Sequence, residues 1–375
     1  VIKYLGSKRT LVPALGRIAT ATGATTAVDL FTGTTRVAQE FKRRGLHVTA
    51  CDIATYSEVL AQCYVATDAR DVDREEVGDA LARLSALPGR RGYFTRTFCE
   101  DARYIQPANG RRIDAIRDVL EAEYRDSPLF PVLLTSLVEA ADRVDSTTGM
   151  QMAYLKTWSP RSHNALELRA PHLLEGPGRA VRGDAVELVG SLPTVDLMYL
   201  DPPYNQHRYF TNYHVWETLV RWDAPEHYGV ANKRVDSRDE STKSVFNRKR
   251  EMPVALAGII ACARAEVLVV SYNDESWVSP GDMVHSLRTA GYEDVRVLAF
   301  DSKRYVGAQI GIFNASGEKV GRVSHLRNTE YLFVAGPTER VGSAAGAATA
   351  GVVPGADLPG SLGSVSAPPR ARPRD

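Results

Sequence analysis

Hydrophobic residues follow two rhythms along much of this chain: short unbroken apolar runs of strand length, and longer stretches where they recur every third or fourth position. A helical period over Leu11 to Ala21 comes first, with Leu11, Ala14, Leu15 and Ile18 on one face. Ala27-Val28-Asp29-Leu30-Phe31 then reads as a strand, closed by Thr32-Gly33-Thr34-Thr35 before a helix predicted from about Arg36 to Arg44. Val48-Thr49-Ala50-Cys51 is a second strand, ending in Asp52. Ala180-Val181-Arg182-Gly183-Asp184 predicts a third and Val195-Asp196-Leu197-Met198-Tyr199-Leu200 a fourth. The fourth places apolar residues in succession rather than alternation, as expected of a parallel strand buried on both faces. A helix at about 253–264, a strand at 267–271, a helix at 281–290 and strands near 295–300 and 330–335 complete the alternation. Strands alternating with helices predict an α/β fold.

Between Thr67 and Arg179 the strands vanish, and helical periods at roughly 72–87, 111–126 and 128–145 replace them. This reads as a helical region, 67–179, inserted into one domain whose parts are 1–66 and 180–340. Arg90, Arg91, Arg96, Arg103, Arg111 and Arg112 are interleaved there with Tyr93, Phe94, Phe98 and Tyr104. Such a mixture suits phosphates and unstacked bases, while a solvated cap with core aromatics is the competing reading. The stretch 205–250 ends in a polar, basic run, with Lys233, Arg234, Arg238, Lys243, Arg248, Lys249 and Arg250 against Asp236, Asp239 and Glu240. It predicts a mobile loop able to contact a nucleic-acid backbone. From Val341 onward Gly, Ala, Ser and Pro dominate, which predicts a disordered tail over 341–375.

Composition narrows the picture further. At 375 residues the chain suits one α/β domain with an insertion. A net charge of +1 neither demands nor excludes nucleic acid, so local patches decide. Cys51, Cys63, Cys99 and Cys262 are scattered, with no C-x-x-C pair or histidine at ligand spacing, which argues against a disulfide framework and a zinc site. No apolar run approaches membrane-spanning length and no leader-like segment opens the chain, so the reading is cytoplasmic, with no membrane partner.

The fourth strand runs straight into Asp201-Pro202-Pro203-Tyr204. Two prolines end ladder pairing and force the chain outward at the carboxyl end of the strand, where open α/β sheets bind ligands. A carboxylate beside a backbone carbonyl can accept both hydrogens of an exocyclic amine on a base. That pulls the nitrogen toward a tetrahedral geometry whose lone pair points at a methyl donor. Asp201 and the Pro202 carbonyl are the two acceptors, and Tyr204 supplies a stacking face for an extruded base. An ordinary Pro-Pro turn is the plainer alternative.

The turn after the first strand has one glycine, Gly33, where a dinucleotide fingerprint has three, and no phosphate-cradling lysine follows. A pyrophosphate ligand is therefore disfavoured. An adenosine cofactor without phosphates needs less: one glycine for close approach, and a carboxylate for the ribose, which Asp52 offers about 20 residues on. Asp184 can bind an adenine amino group or cap a helix, and the sequence leaves both open. The opening Lys3-Tyr4-Leu5-Gly6-Ser7-Lys8 is a basic turn with a ring and a cation.

These stretches, KYLGSK, DLFTGT and DPPY in that order, resemble the Dam-type (alpha-group) adenine-N6-specific DNA methyltransferases. The resemblance implies a Rossmann-like S-adenosylmethionine-dependent methyltransferase sheet, mostly parallel with an antiparallel edge strand, and an inserted helical target-recognition region. Carried over by position, it implies S-adenosylmethionine contacts at Tyr4, Lys8, Asp29, Phe31, Gly33, Asp52 and Asp201, with Asp184 as a further candidate. Catalysis and base stacking fall to Asp201, Pro202 and Tyr204, while the basic run itself offers Lys233, Arg234, Arg248, Lys249 and Arg250 as DNA contacts. The family commonly has glycine where this chain has Thr35, a position where a Cβ could crowd the cofactor's methionine arm, and the sequence leaves open whether binding is weakened. The implied function is methyl transfer to N6 of a flipped-out adenine in duplex DNA, without a metal, and possession of a cognate restriction enzyme is compatible with it. Methylation of cytosine N4 or of RNA shares the same amine chemistry, and a non-catalytic DNA-binding protein on the same fold is an alternative of another class.

Overall fold

A computed structural model describes residues 2–349 apart from 7, 156, 205, 207 and 304–326. Pro13 starts the first helix where its missing N–H is no loss, and α1 (Val12–Ala21) buries Leu15, Ile18 and Ala19. β1 (Thr26–Asp29), α2 (Arg36–Arg43), β2 (His47–Asp52) and α3 (Thr55–Ala61) follow. The insertion carries α4 (Arg74–Ser85), whose N-terminal amides are capped by Asp73, then α5 (Pro107–Glu123) and α6 (Phe130–Arg143). β3 (Gly178–Arg182), α7 (Ala185–Leu188) and β4 (Val195–Leu200) lead to α8 (Tyr209–Asn212) and α9 (His214–Arg221). A two-residue-per-strand hairpin, β5 (His227–Tyr228) and β6 (Lys233–Arg234), precedes three short 3-10 turns within 235–247. The chain then forms α10 (Met252–Cys262), β7 (Ala265–Asn273), α11 (Pro280–Thr289), β8 (Asp294–Lys303), β9 (Arg327–Gly336) and α12 (Thr338–Thr349).

The main sheet runs in the order β3-β2-β1-β4-β7-β9-β8. All neighbours from β3 to β7 are parallel, and β9 lies antiparallel between β7 and β8. Asp29 of β1 pairs in register with Ala50 of β2 and Tyr199 of β4, so the carboxyl ends of these strands emerge side by side. The strand order reverses between β1 and β4, which opens a crevice at that end. β4 sends Leu197 and Tyr199 into one core layer and Met198 and Leu200 into the other, and β7 does the same with Val267 and Val269 against Leu268 and Val270. Helices cover both faces, which is why these strands read as unbroken apolar runs.

The insertion is docked against the part of the chain that follows β4 rather than set apart from it. Arg117 of α5 is buried and donates to the carbonyls of Leu219 and Val220 at the end of α9, with the rings of Phe130 and Trp222 5.5 and 5.4 Å from its guanidinium. Trp216 of α9 is core.

Two expectations are corrected here. Phe94, Phe98 and Tyr104 are buried against one another, and the Tyr104 hydroxyl donates to the carbonyls of Gln151 and Ala231. These aromatics hold the insertion together and offer no face to bases, while Arg91 pairs with Glu100 and Arg90 with Asp118. The expected tail from Val341 instead begins as α12, which buries Val341, Ala344 and Ala348 against the layer containing Ile18 and Ala19 of α1. Arg17 donates to the carbonyls of Ala347 and Ala348, meeting the helix's last acceptors. The rest of the expected tail, 350–375, lies outside the described residues.

Candidate active site

Asp201 leaves the end of β4 into the crevice, where the N-terminal segment meets it. Lys8 places its Nζ 3.3 Å from Asp201 Oδ1 and 3.0 Å from Glu330 Oε2 on β9. Burial works against the charge on Lys8, yet Asp201, Tyr204 and Glu330 together hold its pKa well above the usual value. Burial pushes the Asp201 carboxyl up to about 6, with Lys8 opposing the rise and Glu330 adding to it. Tyr204 stands with Lys8 5.5 Å from its ring centroid and Tyr272 edge-on at 5.7 Å.

Lys8 owes its position to both halves of the molecule. Lys3, five residues earlier, pairs with Asp142 and Asp145 at the end of α6, and the Leu5 amide donates to the Tyr213 hydroxyl at 2.6 Å. Tyr4 clusters with Tyr213 and Tyr209, with ring centroids 4.7 and 5.2 Å away and 6.2 Å between the latter two.

Two adjoining cavities share Tyr4, Gly6, Phe31 and Asp201. The larger, about 390 Å³, is lined by Phe31, Asp52, Ile53, Asp184, Pro203 and Phe246 among others. The smaller, about 40 Å³, lies among Lys8, Asp29, Gly33, Thr34, Arg36 and Asp201. Asp52 accepts from the Gly33 amide at 2.8 Å and the Ala54 amide at 3.0 Å, which fixes the glycine turn against the end of β2. Gly33 has φ +50°, and a Cβ there would come within 3.0 Å of the Tyr4 ring, so both backbone freedom and space call for glycine. Thr35 keeps the left-handed backbone that glycine favours, with φ 63°. Its hydroxyl donates to the Thr34 carbonyl and accepts from Gln39, and the residue lines neither cavity.

Asp29 is buried, with one carboxylate oxygen accepting from Thr32 at 2.9 Å and the other, Oδ1, without a partner among the described residues. Burial raises its pKa to about 7. Asp184 accepts from the Val186 amide and so caps α7, while it also lines the larger cavity; the two roles the sequence left open are compatible.

The basic stretch divides. Arg234 is a correction: its guanidinium is 1% exposed and forks between Asp223 and Asp236, so it ties the β5-β6 hairpin to α9 and presents nothing to DNA. Lys233 is half-buried, and Arg248 pairs with Glu240 and Glu251. Lys249 and Arg250 are exposed. The stretch is also folded rather than a loose loop, since Ser241, Thr242 and Ser244 border the larger cavity and buried Phe246 meets Phe31 edge-on at 5.2 Å. Phe246, Tyr209 and Glu330 join the site from parts of the chain whose sequence carried no motif.

A family model for the D12 class N6 adenine-specific DNA methyltransferases matches residues 4–285. The chain belongs to this family. Among curated relatives it is similar to the Type II methyltransferase M.NlaIII of Neisseria lactamica, 30% identical over 278 residues that span 71% of this chain and 80% of the relative. It is also similar to the Type II methyltransferase M.CviAII of Paramecium bursaria Chlorella virus 1, 28% identical over 286 residues, 74% of this chain and 83% of the relative. Modification methylase StsI of Streptococcus sanguinis is 28% identical over 305 residues, 76% of this chain but 46% of the relative. As a D12 enzyme the chain methylates adenine N6 in DNA site-specifically, and use of S-adenosylmethionine follows from the family. Cytosine N4, RNA and the non-catalytic alternative fall away with that membership. The D12 match takes in the N-terminal segment, the glycine turn, the insertion and β4 through Tyr204, and ends before β8, β9 and α12. Among the described residues of this methyltransferase, no helix is long and apolar enough to cross a membrane.

Proposed function

We propose that the two joined cavities take S-adenosylmethionine and that Asp201, with the Pro202 carbonyl, prepares the amino group of a flipped-out adenine for attack. The carrying observation is that Asp201 borders both cavities at the point where the strand order reverses. The cofactor supplies an electrophilic methyl group on a sulfonium. The larger cavity suits the adenosine, with Phe31 and Ile53 as apolar walls, Asp52 near the ribose and Asp184 near the adenine edge. Tyr4, Lys8 and Gly33 shape the passage to the smaller cavity, where the unpartnered oxygen of Asp29 fits a cationic group. Asp201 and the Pro202 carbonyl accept the two amino hydrogens, which localises the nitrogen lone pair. Lys8 favours the ionised form of Asp201 that this role needs. Tyr204, braced by Tyr272, offers the stacking face for the extruded base.

The insertion, 67–179, is the region we assign to target-sequence recognition, and Lys233, Arg248, Lys249 and Arg250 to the DNA backbone. A cognate restriction enzyme fits the restriction-modification setting of the relatives, and the cytoplasm is where such a pair would act. Incubation with labelled S-adenosylmethionine and duplex DNA, followed by digestion to nucleosides and mass spectrometry, is expected to give N6-methyladenine as the labelled product. Label confined to N4-methylcytosine, or to RNA, would overturn the assignment.

Changing Arg248, Lys249 and Arg250 together to alanine tests the backbone contacts. Arg248 already has acidic partners, so most of the effect should come from the two exposed residues. The slope of log affinity against log salt is expected to fall by about two, at ~0.9 per phosphate contact, with cofactor affinity unchanged. An unaltered slope would return those charges to a solvated surface.

A further inference from the structure

β9 is buried and apolar from Leu332 to Ala335, yet two residues earlier it carries Glu330, whose side chain is only 13% exposed. A carboxylate so far from water is costly unless it is paired. Its partner is Lys8, 322 residues away in sequence and itself 6% exposed. Glu330 lies opposite Asn273, the last residue of β7, at the end of the sheet where Asp201 emerges. Leu332 and Val334 share a core layer with Leu197 and Tyr199 of β4, so the alternation of side chains along each strand carries Glu330 and Asp201 onto one face. The D12 match ends at residue 285 and does not reach Glu330.

One ammonium thus serves two carboxylates. Its Nζ is 3.0 Å from Glu330 and 3.3 Å from Asp201, so Lys8 leans toward β9. Without Glu330 the whole charge of Lys8 would fall on Asp201, and a carboxylate held in a full ion pair is less basic and a poorer acceptor for an amino hydrogen. We propose that Glu330 is a positioning residue for the methyl transfer, drawing Lys8 toward β9 and so keeping Asp201 a strong acceptor. The inference rests on Asp201 being the acceptor for the base's amino group. The other groups facing Asp201 are Asp29 from β1, Tyr199 and Tyr204 at the end of β4, and Tyr209 from α8. Burial raises all three tyrosines, which keeps them neutral. Asp29 makes no ion pair with Lys8 among the described residues, which leaves Glu330 as the second anion in its reach.

The test compares the pH dependence of kcat/KM for duplex DNA, at saturating S-adenosylmethionine, in the wild type, Glu330→Gln, Lys8→Met and Asp201→Asn. Glu330→Gln keeps an oxygen for Lys8 but removes the charge, so the acid limb set by Asp201 is expected to move down by about one pH unit, the scale of one nearby charge. One unit below the wild-type midpoint the variant then retains about half of its plateau, where the wild type retains about a tenth. The plateau itself should fall about threefold or more, since Asp201 has become the weaker base. Lys8→Met is expected to move the limb upward, because Glu330 then repels the Asp201 charge unopposed, and it reads the same coupling if Glu330→Gln does not fold. A limb that either variant leaves in place, or a Glu330→Gln plateau at the wild-type level, would make Glu330 a structural anchor of the N-terminal segment and overturn the inference. The role of Asp201 would stand in that case as long as Asp201→Asn flattens the limb. A limb that survives Asp201→Asn belongs to another group and would sink the reading of Asp201 and the inference together.

Discussion

Replacing Asp201 with alanine is expected to lower the methylation rate by about 10³-fold in single-turnover measurements, with the fold intact. A preorganised acceptor aimed at a reacting group typically contributes on this scale, because it is already oriented where water would have to reorganise. Folding should be little affected. The Asp201 carboxyl lies at about 6 against an ordinary 3.8, so above pH 6 its ionised form is disfavoured by folding, and removing it forfeits no stability at neutral pH. Lys8 keeps Glu330 as a partner. The same carboxyl sets a pH dependence, since the ionised form is the much stronger acceptor for the amino hydrogen that Asp201 takes. The fraction ionised falls tenfold per unit below the pKa, so kcat/KM should rise with unit slope as pH increases through about 6 and then level off. Asp201→Asn keeps one acceptor oxygen but cannot titrate, and is expected to show a lower rate with that limb of the profile flattened. A near wild-type rate for Asp201→Ala would place the chemistry elsewhere in the molecule.

Ending the chain at Pro337 instead of Thr349 removes α12 and is expected to destabilise the protein by about 3 kcal/mol. Val341, Ala344 and Ala348 are fully buried, and a buried valine alone contributes ~1.5–3 kcal/mol, with the two alanines adding less. The truncation also exposes the face of α1 around Ile18 and leaves Arg17 without the carbonyls of Ala347 and Ala348. Comparison of urea unfolding midpoints for the two chains, with the slope of the transition held as a check on two-state behaviour, measures the difference. Equal midpoints would show that α12 is docked without stabilising what it touches.

The sequence by itself determined the strands, their order of function and the ends at which the chemistry sits. β1, β2 and β4 were legible because a strand covered by helices on both faces must be apolar at successive positions, and the Asp201-Pro202-Pro203 junction announces its own exit from the sheet. Gly33 and Asp52 were legible for the same local reason: a turn that brings backbone close to a ligand requires glycine, and the structure adds that the two residues bond to each other. Tertiary structure alone decided what depends on partners far along the chain. Arg234 looked like a phosphate contact until Asp223 and Asp236 enclosed it, since charge read along a sequence does not show which acidic group will fold over it. Phe94, Phe98 and Tyr104 became core because the insertion needs its own apolar contacts. The Ala- and Gly-rich α12 carries too little apolar surface to announce a docked helix, and it packs because α1 and Arg17, more than 300 residues away in sequence, supply the matching face and donors.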